Sequence, residues 1–156
     1  MDASGDPAGT RRYFLEELQI GQRFTSGTHA LDVEQVKAFA SQFDPQRYHL
    51  DEEAAATTLF GGLVASGWHT ASVTMRLLAE GGAPLGDGLI GAGVEVAWPR
   101  PTRPCDILHV VSEVMEIRPS RSRPDRGMVT LRCETRNQQD EVVQVMTARL
   151  VVPRRT

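Results

Sequence analysis

Asp44 and His49, five residues apart in FDPQRYHLD, set a carboxylate beside an imidazole. Eighteen residues beyond His49 comes Gly67, at the head of an apolar-periodic stretch that reads as a long helix. An acid, a base and a helix N-terminus are the parts needed to move a proton beside a developing oxyanion. The candidate oxyanion donor is the backbone N–H of Gly67, with that of Trp68 beside it. A helix start leaves such groups unsatisfied and carries roughly half a positive charge. A residue without Cβ also lets a ligand approach the backbone closely. Spacing alone leaves blander readings open. Asp44 suits a turn before Pro45, His49 a half-buried core histidine, and Gly67 an ordinary tight loop.

The elements that must hold these residues follow from pattern. Asp32 with Gln35 resembles a capping box, and Val33, Val36, Phe39 and Ala40 recur at helical spacing. That helix ends near Phe43, because Pro45 pushes Asp44 out of the α region and leaves it on a helix-exit turn. Asp51–Thr58, DEEAAATT, reads as a short helix with acids in its first turn, so Asp51 suits a cap better than an orienter of His49. Trp68 to Glu80 carries the stripe Trp68, Ala71, Met75 and Leu78, widened by Val73 and Leu77 and stopped by Gly81-Gly82. So broad an apolar surface predicts a helix wrapped by other structure. His69, inside this helix, reads as a packing or interface residue.

Elsewhere the period is two. Residues 22–31 are compatible with a first strand. From Gly88 onward, Val94–Trp98, Ile107–Ile117, Val129–Thr135 and Met146–Val152 alternate as four long strands in an expected meander. The last two are joined by Asn137-Gln138-Gln139-Asp140 as a hairpin, and RPSRSRPDR, 118–126, is a polar loop. One long helix against a strongly curved antiparallel sheet is an α+β layer architecture.

At 156 residues, 40% hydrophobic and 24% charged, the chain suits one globular domain with its own core. Residues 1–12, small and polar, are expected to be a disordered lead-in to a domain spanning 13–156. A net charge of −3 gives no basic footprint, so nucleic acid is not an expected partner. No apolar run reaches the ~20 residues a membrane helix needs, and the N-terminus lacks the apolar core of a signal peptide. Cys105 and Cys133 lie far apart without CxxC or a His cluster, so no metal site is expected and a reducing, cytoplasmic setting is.

From about Tyr13 to Pro153 the order and spacing resemble the MaoC-like hotdog-fold dehydratases, which include the (R)-specific enoyl-CoA hydratases. Their usual segment runs Asp-x-Asn-Pro-x-His-x-Asp, then a Phe-Gly loop and a Gly opening the central helix. Asp44-Pro-Gln-Arg-Tyr-His49-Leu-Asp51, FGGLVASG and WPRPTRPCD stand in the matching places. The chain departs from that pattern in four ways. The Asn-Pro before His49 is absent, Ser66 replaces a frequent His, Cys105 a frequent Gly, and Met75 a Ser of some hydratases.

The resemblance implies a single hotdog fold, with the sheet wrapped around the central helix. It also implies a hydro-lyase adding water to, or removing it from, a 2-enoyl or 3-hydroxyacyl thioester. Asp44 and His49 would be the acid–base pair on a shared water, and Gly67 the oxyanion donor. Tyr48, Ser66, Trp68, Arg100 and Arg103 become candidate substrate-binding residues, the arginines for the phosphates of coenzyme A. Arg121, Arg123 and Arg126 fit a solvated loop better. No cofactor is expected beyond coenzyme A within an acyl-CoA or acyl-carrier substrate. The family also implies a homodimer or larger homo-oligomer joined edge to edge, which covers an exposed strand. A hotdog thioesterase, which would use a carboxylate without a neighbouring His, and a non-catalytic acyl-CoA-binding subunit are the competing readings.

Overall fold

The structure, a computed structural model, describes residues 11–155. Most of the expected lead-in therefore lies outside the described residues; Arg11, inside them, stacks its guanidinium 4.7 Å from the centre of the Tyr13 ring.

Helix α1, Val33–Phe43, begins where Asp32 accepts from the Gln35 N–H at 2.8 Å, as the capping pattern predicts. It buries Val36 and Ala40 and stops at Asp44, whose φ of −153° and ψ of 68° leave the helix just before Pro45. A single helical turn, α2, Arg47–Leu50, follows and is not visible in the periodicity. Helix α3, Glu52–Ala56, is capped by Asp51, which accepts from the Glu53 and Ala54 N–H groups. Asp51 is thus spent on capping and does not orient His49.

The central helix α4, Gly67–Leu77, runs on through a π-turn, Leu78–Gly82, that ends where Gly81 takes a φ of 132°. Its inward face differs from the expected stripe. His69, Thr70, Val73, Thr74 and Leu77 are buried, whereas Trp68 and Met75 are 60% and 43% exposed. Thr70 and Thr74 tolerate burial because each finds partners. Thr70 Oγ1 donates to Thr102 Oγ1 at 3.0 Å, and Thr74 Oγ1 lies 2.6 Å from Thr135 Oγ1.

The sheet holds β1, Arg23–Thr25; β2, His29–Ala30; β3, Ile90–Ala97; β4, Ile107–Pro119; β5, Arg126–Arg136; and β6, Val142–Pro153. The expected single first strand is two short pieces on β4, because Ser26 between them takes the Val110 N–H on its hydroxyl at 2.8 Å and breaks the regular ladder. β4, β5 and β6 pair in sequence, and the 137–140 hairpin loop forms as expected, closed by Asn137 N–H to Glu141 O at 3.0 Å.

The four long strands are not a meander. The order is β1-β4-β5-β6-β3, with β3 paired to β6 through Val94 with Ala148 and Val96 with Met146. The reason lies in WPRPTRPCD, 98–106. Its prolines, Pro99, Pro101 and Pro104, lack the N–H groups a tight hairpin needs, so the segment crosses over the start of α4 instead. Ala65 N–H donates to Thr102 O at 2.8 Å, tying that crossover to the helix entry. Between α4 and the sheet, Leu108, Val110, Val114, Val129, Leu131 and Val143 are fully buried, each worth roughly 1.5–3 kcal/mol of hydrophobic stabilisation. This is the expected α+β arrangement, a curved antiparallel sheet around one long helix.

Candidate active site

The loop from Asp44 to Asp51 delivers both members of the acid–base pair to one place. Asp44 Oδ2 lies 3.2 Å from His49 Nε2, and the two side chains are only 16% and 6% exposed. The α2 turn makes this possible by bringing the imidazole back over the helix exit. His49 Nδ1 lies 2.7 Å from Val64 O. A carbonyl only accepts, so Nδ1 carries the hydrogen and Nε2 is the nitrogen presented to Asp44.

Asp44 accepts from two side-chain donors. Ser66 Oγ donates to Oδ2 at 2.6 Å and Gln46 Nε2 to Oδ1 at 2.6 Å. Burial pushes this carboxyl up, but Ser66, Gln46 and His49 together outweigh it and hold Asp44 below the usual carboxylate range. Asp44 therefore stays ionised across ordinary pH, and the imidazole is the better carrier of a moving proton.

Ser66 is also the N-cap of α4, its hydroxyl lying 3.3 Å from the Trp68 N–H. The Gly67 N–H finds no acceptor among the described residues. A Cβ on Gly67 would stand 2.6 Å from Trp98 Cε2, so the space that glycine leaves is filled by the indole and does not admit a ligand. What Gly67 offers to the cleft is its N–H alone.

The cleft at this point has a volume of about 360 Å³ and is walled by Asp44, His49, Gly67, Tyr48, Trp68 and Arg100 among the expected residues. Two expected substrate contacts lie outside its walls. Ser66 is fully buried with its hydroxyl committed to Asp44. Arg103 turns its guanidinium to Phe60 O at 2.7 Å, bracing the Phe60-Gly61 loop. Arg100 stays at the rim, paired with Glu141 at 3.0 Å and 58% exposed. Arg121, Arg123 and Arg126 lie on or beside the β4–β5 turn, at the opposite end of those strands from the crossover. His69 is buried against Phe39, rings stacked at 4.7 Å, and burial, with His29 and His49 adding repulsion, pushes it down to about 4.

Several wall residues are not singled out by spacing. Gln46 and Thr102 carry no motif. Trp98 reaches the cleft only because the crossover folds over α4, where its Nε1–H donates to Gln144 Oε1 at 2.9 Å. The aromatic of WPRP is the one signal that could have pointed to it. A second, apolar hollow of about 510 Å³ between α4 and β3 shares Trp68 with the first and runs past Met75 and Leu78.

Residues 17–137 match the sequence model described as MaoC like domain. The chain belongs to the MaoC-like family. A MaoC-like dehydratase from Rhodospirillum rubrum is 58% identical, with a TM-score of 0.91, covering 92% of this chain and 99% of that one. R-hydratase PhaJ1 from Pseudomonas aeruginosa is 27% identical at a TM-score of 0.71, covering 91% and 86% of the two chains. The Bacillus subtilis protein YdeM, itself uncharacterised, is 35% identical over 129 residues, which are 81% of this chain and 89% of that protein. With these relatives the α+β architecture is the hotdog fold of MaoC-like dehydratases and hydratases. No helix of the described residues is long and apolar enough to cross a membrane.

Proposed function

We propose that this MaoC-like protein is a hydro-lyase that adds water reversibly to a 2-enoyl thioester, giving the 3-hydroxyacyl thioester. The observation that carries this reading is the 3.2 Å approach of His49 Nε2 to Asp44 Oδ2, at the wall of a cleft that also holds the Gly67 N–H. Asp44, kept ionised by its donors, orients the water and stabilises the imidazolium. His49 Nε2 takes the water's proton as the oxygen bonds to the β-carbon, and returns it to the α-carbon. The charge that builds meanwhile on the thioester oxygen is met by the Gly67 N–H at the start of α4; one such donor typically contributes about 2.7–4 kcal/mol. Coenzyme A or an acyl carrier enters as part of the substrate, with Tyr48, Trp68 and Arg100 as its contacts. No further cofactor takes part in this scheme.

A thioesterase using a lone carboxylate is disfavoured by the imidazole seated on that carboxylate. The test is incubation of the purified protein with a panel of 2-enoyl-CoAs, following loss of enoyl absorbance and formation of the 3-hydroxyacyl product. Free thiol release without hydration would instead show a thioesterase.

The assembly we propose is a homodimer joined through β3. Among the described residues this strand ends the sheet order and pairs on one side only, with Ile90 and Val94 each 58% exposed. A stable dimer of this kind buries more than roughly 1,000 Å². Light scattering at micromolar concentration should give twice the monomer mass, and Val94→Lys should lower it.

A further inference from the structure

We propose that Gln46 is a positioning residue for Asp44 and that the Tyr48 hydroxyl sets the direction of its amide. This rests on the reading of Asp44 as half of a proton-moving pair.

The local chain makes the contact almost unavoidable. The Gln46 N–H donates to Asp44 O at 2.7 Å, a three-residue turn centred on Pro45, whose ring already holds φ near the value such a turn needs. The tight turn folds the Gln46 side chain back over the carboxylate two residues before it, where Nε2 donates to Oδ1 at 2.6 Å. Tyr48, two residues further on, donates its O–H to Gln46 Oε1. Asp44, Gln46 and Tyr48 thus form a hydrogen-bonded row at i, i+2 and i+4.

The direction of that row is determined at both ends. An ionised carboxylate only accepts, so the NH₂ of Gln46 must face Asp44. With its proton given to Oε1, the phenol reinforces the same orientation. The Tyr48 ring is itself braced, edge-on to His49 at 4.5 Å and tilted against Phe60 at 5.2 Å. The consequence is mechanical. With Oδ1 tied to Gln46, the carboxylate cannot swing about its last torsion, and Oδ2 stays on His49 Nε2 and the Ser66 hydroxyl. His49 is the charged or titratable group facing Asp44 there; Ser66 and Gln46 are neutral donors. Gln46 is exposed and packs against no core, so hydrophobic burial does not hold it there.

Gln46→Leu removes donor and acceptor at similar size, and Tyr48→Phe removes the hydroxyl alone. Enoyl-CoA hydration is followed across pH for both, for the double variant and for the unaltered protein. Loss of a hydrogen bond to a charged group predicts a fall in kcat of about tenfold to a hundredfold for Gln46→Leu, with KM little changed. The limb of the pH profile governed by Asp44 moves to higher pH. Tyr48→Phe shifts both in the same direction by less, and the double variant is no worse than Gln46→Leu. Unaltered kcat and limb in Gln46→Leu, a loss in that variant residing in KM, or kcat effects of the two changes that add would overturn the proposal. Carboxyl carbon NMR of Asp44, assigned with Asp44→Asn, separates this inference from the reaction itself. If the unaltered protein hydrates no enoyl thioester, the reaction assigned falls. The clamp then still requires a raised Asp44 midpoint in Gln46→Leu, and an unchanged midpoint sinks it.

Discussion

The indole of Trp98 occupies the place where a side chain on Gly67 would stand, with Cε2, Cζ2 and Cδ2 all under 3.0 Å from the position of a Cβ there. The first residue of α4 and the first of the crossover are therefore packed as one unit, and Gln144 anchors the indole from the sheet. Gly67→Ala should displace the indole and cost about 1–3 kcal/mol, as overpacking typically does. A lowered Tm with a shifted tryptophan emission is the expected result. Unchanged emission and stability would mean that the indole is free to move.

Because Asp44 and His49 act on one water in the proposed chemistry, their substitutions should not add. Asp44→Asn and His49→Gln should each lower hydration by roughly 10²–10⁴-fold, and the double variant should be scarcely worse than the more damaging single. All three should keep the fold by circular dichroism. Activity surviving Asp44→Asn would move the chemistry elsewhere.

Ser66 joins two functions in one hydroxyl, capping α4 and donating to Asp44. Ser66→Ala should cost about 0.5–2 kcal/mol at neutral pH from the lost cap. Asp44 is depressed in the folded state, so its contribution to stability is present above the ordinary carboxyl range and lost as pH falls through the depressed value. Without Ser66 the folded value rises toward the unfolded one, so the loss still begins in the ordinary carboxyl range but is smaller and is complete at a higher pH. Urea unfolding at neutral pH and the acid-unfolding midpoint together read both effects.

His69 carries an opposite liability. Its Nδ1 is buried and has no partner among the described residues, and its folded value sits at about 4. The unfolded chain takes up the proton first, so stability is greatest above the ordinary 6.5 and declines as pH falls from there to about 4. Each pH unit in that window costs roughly 1.4 kcal/mol. His69→Leu should flatten this decline by one proton in urea titrations between those limits. An unchanged slope would show that His69 is solvated in the native state.

The sequence by itself determined what short-range chemistry governs. The Asp32 cap, the helix stop before Pro45, the Asp51 cap and the alternation of the long strands all follow from neighbours within four residues or from a two-residue period. The meeting of Asp44 and His49 does not belong here, since it needs the α2 turn and the contact of His49 Nδ1 with Val64 O, 15 residues on. Only the tertiary structure decided which strand β3 would join, because alternation marks a strand's faces and says nothing of its neighbour. It likewise decided which face of α4 turns inward. Thr70 and Thr74 are polar by type and become core residues only through hydroxyls on Thr102 and Thr135, 32 and 61 residues away. Ser66 reaches Asp44 across 22 residues, and Trp98 reaches Gly67 because the 98–106 segment is tied to the entry of α4. Those contacts depend on where separate elements dock, which no periodicity along the chain records.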